Sequence, residues 1–279
     1  MSPGVAGLVL LSAVLHASWN ALLKGGSDRL HSITVMAASA GAASAVWAAF
    51  LPTPRAESWL YIGLSVVLHV VYNLLLVATY RHGDLGVTYP IARGSSPMLV
   101  AGGAASLAGE RLDGLTLVGI ALVCGGIFGL ARDARGGKLS QVIAPAVLTG
   151  VMIAAYTVAD GLGSRASGNS WAYAAWLFLL NGLSMVPVWA WRREAGARVR
   201  LDAPTLRSAV GGLVSLAAYA IVIWAASVSP MGPVSALRES GVVVAAVLGW
   251  LFLDERLGWW RLIACLVVAS GAACLGLRG

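Results

Sequence analysis

Two short segments of this sequence repeat one pattern, Leu-His-x-x-aromatic-Asn: Leu15-His16-Ala17-Ser18-Trp19-Asn20 and Leu68-His69-Val70-Val71-Tyr72-Asn73. Imidazole and carboxamide groups donate and accept hydrogen bonds, and an aromatic ring adds an apolar wall whose face attracts cations. Spaced three and four residues apart, the three side chains share one face of a helix. Two further stretches place charge inside apolar sequence. In VTYPIARGSSPMLV (87–100), Tyr89, Arg93 and Ser96 fall on one helical face, while Pro90, Pro97 and Gly94 weaken the helix on either side of the arginine. In PMGPVSALRESGVVVA (230–245), Arg238 adjoins Glu239. A guanidinium out of water holds an anionic group or balances a carboxylate, and a carboxylate out of water takes up and releases a proton. The chemistry on offer is recognition, charge balance and proton transfer.

It is not the chemistry of an enzyme. There is no GxSxG, P-loop, HExxH or suitably placed carboxylate pair, so acyl, phosphoryl and metal-assisted reactions lack their parts, and no cofactor is expected. Cys124, Cys265 and Cys274 all fall in apolar runs with no CxxC; they read as small buried hydrophobes rather than a disulfide framework or a metal site.

Composition sets the elements that must position these residues. Of 279 residues, 58% are hydrophobic and only 11% charged, against roughly 25% charged in a soluble domain. Apolar runs bounded by charges predict ten membrane-crossing helices near 4–24, 30–51, 58–80, 85–107, 113–131, 142–163, 170–191, 206–226, 232–253 and 258–277. The N-terminal run lacks the basic region of a signal peptide and is expected to be retained as the first span. The net charge of +7 comes from basic residues in the connections, not from a stripe on a soluble surface, so the expected partner is the lipid bilayer and not nucleic acid. Thirteen basic residues fall on the side of connections 1–2, 3–4, 5–6, 7–8 and 9–10, against four on the other side. The positive-inside rule then predicts a multi-pass protein of the inner membrane with both termini outside.

The two halves resemble each other. GERLDGLTLVGIALVCGG (109–126) aligns without gaps on DERLGWWRLIACLVVASG (254–271) at an offset of 145, which also superposes Arg93 on Arg238. ASWNALL (17–23) matches AAYTVAD (154–160), setting Trp19 opposite Tyr156. Five spans per half oblige the second copy to enter from the opposite side. The expected fold is an all-α membrane protein of ten transmembrane helices in two inverted five-helix repeats, 1–135 and 141–279, joined by the basic RDARGGKLSQ (132–141). Such halves rock about a central site and so give alternating access.

Counted at about 1.5 Å per residue, His16 and His69 lie about 17–18 Å from the outer starts of their spans, and Arg93 about 12 Å from the cytoplasmic start of its own. All three are near the midplane. An arginine there costs at least about 2.5–3.5 kcal/mol, offset by snorkelling, by pairing with a carboxylate such as Glu239, or by an anionic group of a substrate. Adjacent helical residues point about 100° apart, so Arg238 and Glu239 are not expected to pair well with each other. With Asp160 placed near the outer end of span six, Glu239 is the one carboxylate deep in a span and the candidate for proton coupling. A fixed partnership with Arg93 or Arg238 is an equal alternative, and the polar faces would equally serve to tie helices together.

LHASWNALLK (15–24), YPIARGSSPML (89–99) with GERL (109–112), and ALRESGVVVAAVLGWLFLDERL (236–257) resemble the ten-helix drug/metabolite transporter superfamily, whose members have two tandem EamA-type halves. The resemblance implies a secondary transporter, often an exporter of amino acids and related metabolites, with a central cavity lined by both halves. His69 and Tyr72 followed by Tyr89 look like cavity positions of the aromatic amino-acid exporter branch, with Ile91 where that branch would carry an aromatic. The LHASWN opening is also similar to that of members linked to phosphonate metabolism. His16 and Asn20 stand in the helix where small four-helix multidrug relatives use a glutamate for cation and proton.

The expected activity is export of a small zwitterionic or anionic metabolite such as an amino acid, by a monomer, since the repeat already supplies both halves. Arg93 and Arg238 would hold its acidic group, His16, Asn20, His69 and Asn73 would give hydrogen bonds, and Trp19, Tyr72, Tyr89 and Tyr156 would wall it. A proton-coupled exporter of drugs or cations, and a non-transporting membrane scaffold or sensor, stay open beside it.

Overall fold

The computed structural model describes residues 1–23, 28–82, 85–130, 139–193, 202–252 and 258–276. Among them the chain forms α1 (Pro3–Leu23), α2 (Arg29–Ala48), α3 (Trp59–His82), α4 (Leu85–Ala108), α5 (Gly114–Leu130), α6 (Leu139–Ala166), α7 (Ser170–Arg192), α8 (Ala203–Val228), α9 (Met231–Glu239), α10 (Gly241–Phe252) and α11 (Trp259–Gly276). Helix starts are cut by short polar side chains that accept otherwise unpaired N–H groups. Asp28 accepts from His31, Asp113 from Thr116, Asn169 from Trp171 and Ala172, and Asp202 from Thr205. Seven of the described helices are long and apolar enough to cross a membrane unaided. α5 is shorter, at 17 residues, and α4 carries the arginine, serines and prolines noted above.

The ninth predicted span is not one helix. α9 ends at Glu239, and Ser240 (φ −59°, ψ −14°) makes a tight turn in which its N–H bonds Leu237 O and its carbonyl accepts from Val243 N–H. Such i to i+3 bonds are the tighter 3₁₀ geometry. Gly241 follows because α1 passes close: a Cβ there would lie 2.7 Å from the Ala13 carbonyl oxygen.

The packing is that of an all-α membrane protein with two inverted five-helix repeats, α1–α5 and α6–α11. α1 lies on α8 as α6 lies on α3, and α4 lies on α6 as the α9–α10 pair lies on α1. α2 and α7 pair with each other across the pseudo-twofold, as do α5 and α11. Both self-paired seams are made of glycine, which lets backbones touch. A Cβ at Gly182 of α7 would sit 2.6 Å from Ala37 O and 3.0 Å from Gly41 Cα of α2; one at Gly271 of α11 would sit 2.7 Å from Gly119 O of α5. Large apolar side chains such as Leu60, Val67, Leu183 and Leu266 point outward, where lipid would cover them.

One polar network joins four elements at the end of the bundle that holds the N-terminus. Glu110, after α4, accepts the Met231 N–H that opens α9 at 2.9 Å and pairs with Arg165 of α6 at 2.6 Å. Arg165 in turn donates to Ala226 O and Ser229 O at the close of α8.

Candidate functional site

α4 and α9 run antiparallel through the middle of the bundle and bring Arg93, Arg238 and Glu239 together. All three are buried, at 5%, 2% and 2% relative exposure. Arg93 Nε lies 2.7 Å from one Glu239 oxygen, as a charge contact whose N–H is not aligned for a hydrogen bond. Arg238 donates to the other oxygen at 3.0 Å. The expectation that Arg238 and Glu239 would not pair is therefore corrected. The 100° between neighbouring Cα–Cβ bonds separates the roots of the side chains, not the tips of two long flexible ones, and Glu239 stands at the last position of α9, where the turn begins. Arg93 thus has a carboxylate partner, and two guanidiniums share one acid.

An aromatic cluster adjoins the charges. His69 stacks on Tyr156 with ring centres 4.1 Å apart, Tyr72 meets Tyr156 edge-on at 5.6 Å, and Tyr219 meets both His69 and Tyr156. The Arg238 guanidinium lies over the Tyr219 ring at 5.8 Å, which ties cluster and charges together. His69 Nδ1 is 2.9 Å from Ser65 O. A carbonyl only accepts, so in the neutral ring Nδ1 carries the hydrogen and Nε2 is left as an acceptor.

Asp160 sits beneath the cluster and accepts hydrogen bonds from Tyr219 at 2.7 Å and Tyr173 at 3.0 Å. The sequence reading set Asp160 near the outer end of its span; depth along the helix axis is not burial, and here the bundle encloses it at 2% exposure. Removing this acceptor would strand two buried hydroxyls. Asp160→Ala is expected to destabilise the protein by about 2–4 kcal/mol, and adding Tyr173→Phe with Tyr219→Phe to recover part of that loss. Thermal unfolding in detergent reads both; no recovery would show that the carboxylate acts otherwise.

The remaining expected residues are placed unevenly. His16 lies within electrostatic reach of Arg93 and Arg238, and its ring meets Trp19 edge-on at 4.8 Å. Trp19 keeps a buried Nε1 hydrogen with no partner among the described residues. Asn20 spends one donor on its own helix, at His16 O, and Asn73 turns to the Met185 sulfur of α7. The Tyr89 side chain lies outside the described residues. Tyr219, Asp160 and Ser65 were missed. An aromatic in mid-span of the eighth helix, the second repeat's counterpart to the third helix that carries Tyr72, was the available signal for Tyr219.

Among the described residues no cluster of His, Cys, Asp or Glu could hold a metal ion. The arrangement is a buried cluster of charges and aromatic rings at the junction of the two repeats. No curated protein matches the chain. A solved structure described only as the crystal structure of a protein is similar over 99% of both chains, with a TM-score of 0.78 and 17% identity, a likeness of fold alone. Residues 4–132 and 142–277 match the EamA-like transporter family. With both repeats matched and built into one bundle, the chain belongs to that family and is a membrane transporter of the drug/metabolite superfamily.

Proposed function

We propose that the protein is a secondary transporter that exports a small zwitterionic or anionic metabolite, an amino acid or close analogue, by alternating access between its repeats. The observation that carries this is the charge count at the centre: among the described residues two buried arginines share one carboxylate, an excess of +1 beside the aromatic cluster. A buried positive excess attracts an acidic group, and Tyr72, Tyr156 and Tyr219 offer faces to a ring or an amine. In this reading Arg93 and Arg238 hold the acidic group, His69 Nε2 and His16 supply hydrogen bonds, and Asn20 and Asn73 would have to leave His16 O and the Met185 sulfur to join them. Trp19, Tyr72 and Tyr156 wall the site, in keeping with an aromatic substrate like that of the aromatic amino-acid exporter branch. The protein would act as a monomer in the inner membrane with both termini outside, as the charges of its connections imply.

Export of lipophilic cations is disfavoured by the same count, because Glu239 lies between two guanidiniums and presents no open negative charge. The test is a panel of the L-amino acids, their N-acetyl and deaminated analogues, and a lipophilic cation, scored by shift in melting temperature of the purified protein. Aromatic amino acids or their anionic analogues should raise it by several degrees at 100 times their Kd, where binding adds about 2.7 kcal/mol. A shift by the cation alone would replace this reading, and no shift at all would favour a scaffold.

A further inference from the structure

The inverted repeat is symmetric in its arginines and asymmetric in its acid. The alignment that superposes Arg93 on Arg238 superposes Gly94 on Glu239, so the single carboxylate at 2.7 Å and 3.0 Å serves both guanidiniums. Neighbouring elements add no second acid among the described residues. The groups facing the cluster are His16 of α1, His69 of α3, Cys124 of α5, Tyr156 of α6 and Tyr219 of α8. The other buried acid, Asp160, is taken up by two tyrosine hydroxyls. Glu239 also stands at a joint: it ends α9, and the Ser240 turn follows at once. A side chain at a helix break can swing away without dragging a continuous helix with it.

Resting on the transport reading above, we propose that Glu239 and the substrate's acidic group compete for the same two arginines, so that substrate enters only when a proton has joined Glu239, and the two cross the membrane together. The charges balance at each step. Two guanidiniums and one carboxylate sum to +1. A proton adds to a Glu239 oxygen, both ion pairs break, and the site stands at +2. A substrate carboxylate then takes the vacated place and returns it to +1. A monoanion therefore crosses without net charge, and a zwitterion carries one positive charge with it. A carboxylate that bound a cationic substrate in place of its proton would give exchange of the two; the flanking arginines reverse that sign and give co-transport. Export then runs down the substrate's own gradient and carries a proton out with it, and an imposed proton gradient drives the same carrier in reverse.

The full-length protein in detergent and in proteoliposomes tests this, with the panel above and L-phenylalanine as its reference member. In weak buffer the wild type should take up about one proton for each panel member bound, read with a pH-indicator dye. Its apparent affinity should weaken up to about tenfold per unit rise in pH while Glu239 is ionised. Glu239→Gln, neutral at every pH, should bind without proton uptake or pH dependence and exchange labelled substrate across the vesicle wall. It should fail to concentrate that substrate under an imposed proton gradient. The wild-type proton count needs no variant, so a misfolded Glu239→Gln does not spare the proposal. Binding without proton uptake and with pH-independent affinity overturns the coupling and leaves the transport reading standing. A panel in which no member binds removes the transport reading and the coupling with it.

Discussion

Replacing Arg93 with alanine is expected to abolish flux of the best panel member in proteoliposomes while the protein stays folded. The charge count gives the reason. Without Arg93 the described cluster is Arg238 with Glu239, one against one, and the excess proposed to attract an acidic group is gone. A hydrogen bond to a charged group contributes about 1.5–3 kcal/mol, so affinity should fall by about 10- to 150-fold from that contact alone. The fold should survive because Glu239 keeps Arg238. Removing Glu239's only partner would cost about 3–5 kcal/mol; removing one of two costs less. Arg93→Lys keeps the charge but loses the planar fork, and should recover part of the affinity. Unchanged flux in Arg93→Ala, at equal reconstitution and equal melting temperature, would sink the assignment of Arg93 to the substrate.

Gly182→Val should be among the single changes most damaging to the fold. Its first added carbon would meet two pieces of backbone, Ala37 O at 2.6 Å and Gly41 Cα at 3.0 Å, neither of which can rotate away. α2 and α7 would have to separate along the seam they share across the pseudo-twofold. Overpacking of this kind costs about 1–3 kcal/mol for small insertions and more for larger ones, so Gly182→Ala should lower the melting temperature by several degrees and Gly182→Val should prevent accumulation in the membrane. Gly63→Ala, with nothing near its added Cβ, is the control and should leave both unchanged. Wild-type melting in Gly182→Ala would mean that the helices do not rely on contact at that point.

How much of this was legible in the sequence differs by element. The ten spans and the inverted repeat were open to view, because length and apolarity decide what crosses a bilayer and an odd number of spans per half decides orientation. Arg93, Arg238 and Glu239 were conspicuous for the same reason, as charge inside apolar runs. Their pairing was not, because side-chain reach and the break at Ser240 decide it, and a serine-glycine step reads as ordinary within a span. Asp160 was hidden differently: burial by three neighbouring helices leaves no trace in one helix's periodicity. Asn20 and Asn73 share a motif but not a fate, since one returns to its own helix and the other faces α7.

α9 is nine residues long, about 13 Å of helix. Glu110 clasps its first N–H, tied through Arg165 to the ends of α6 and α8, and Glu239 is its last residue. The short helix is therefore a lever held at both tips by acids. In the coupling proposed above, opening the clasp at one tip would free the other to move among the arginines, and a proton on Glu239 would be felt at Glu110. A rod of this length is stiff enough to report an event at the midplane to the membrane surface, with no longer chain of contacts in between.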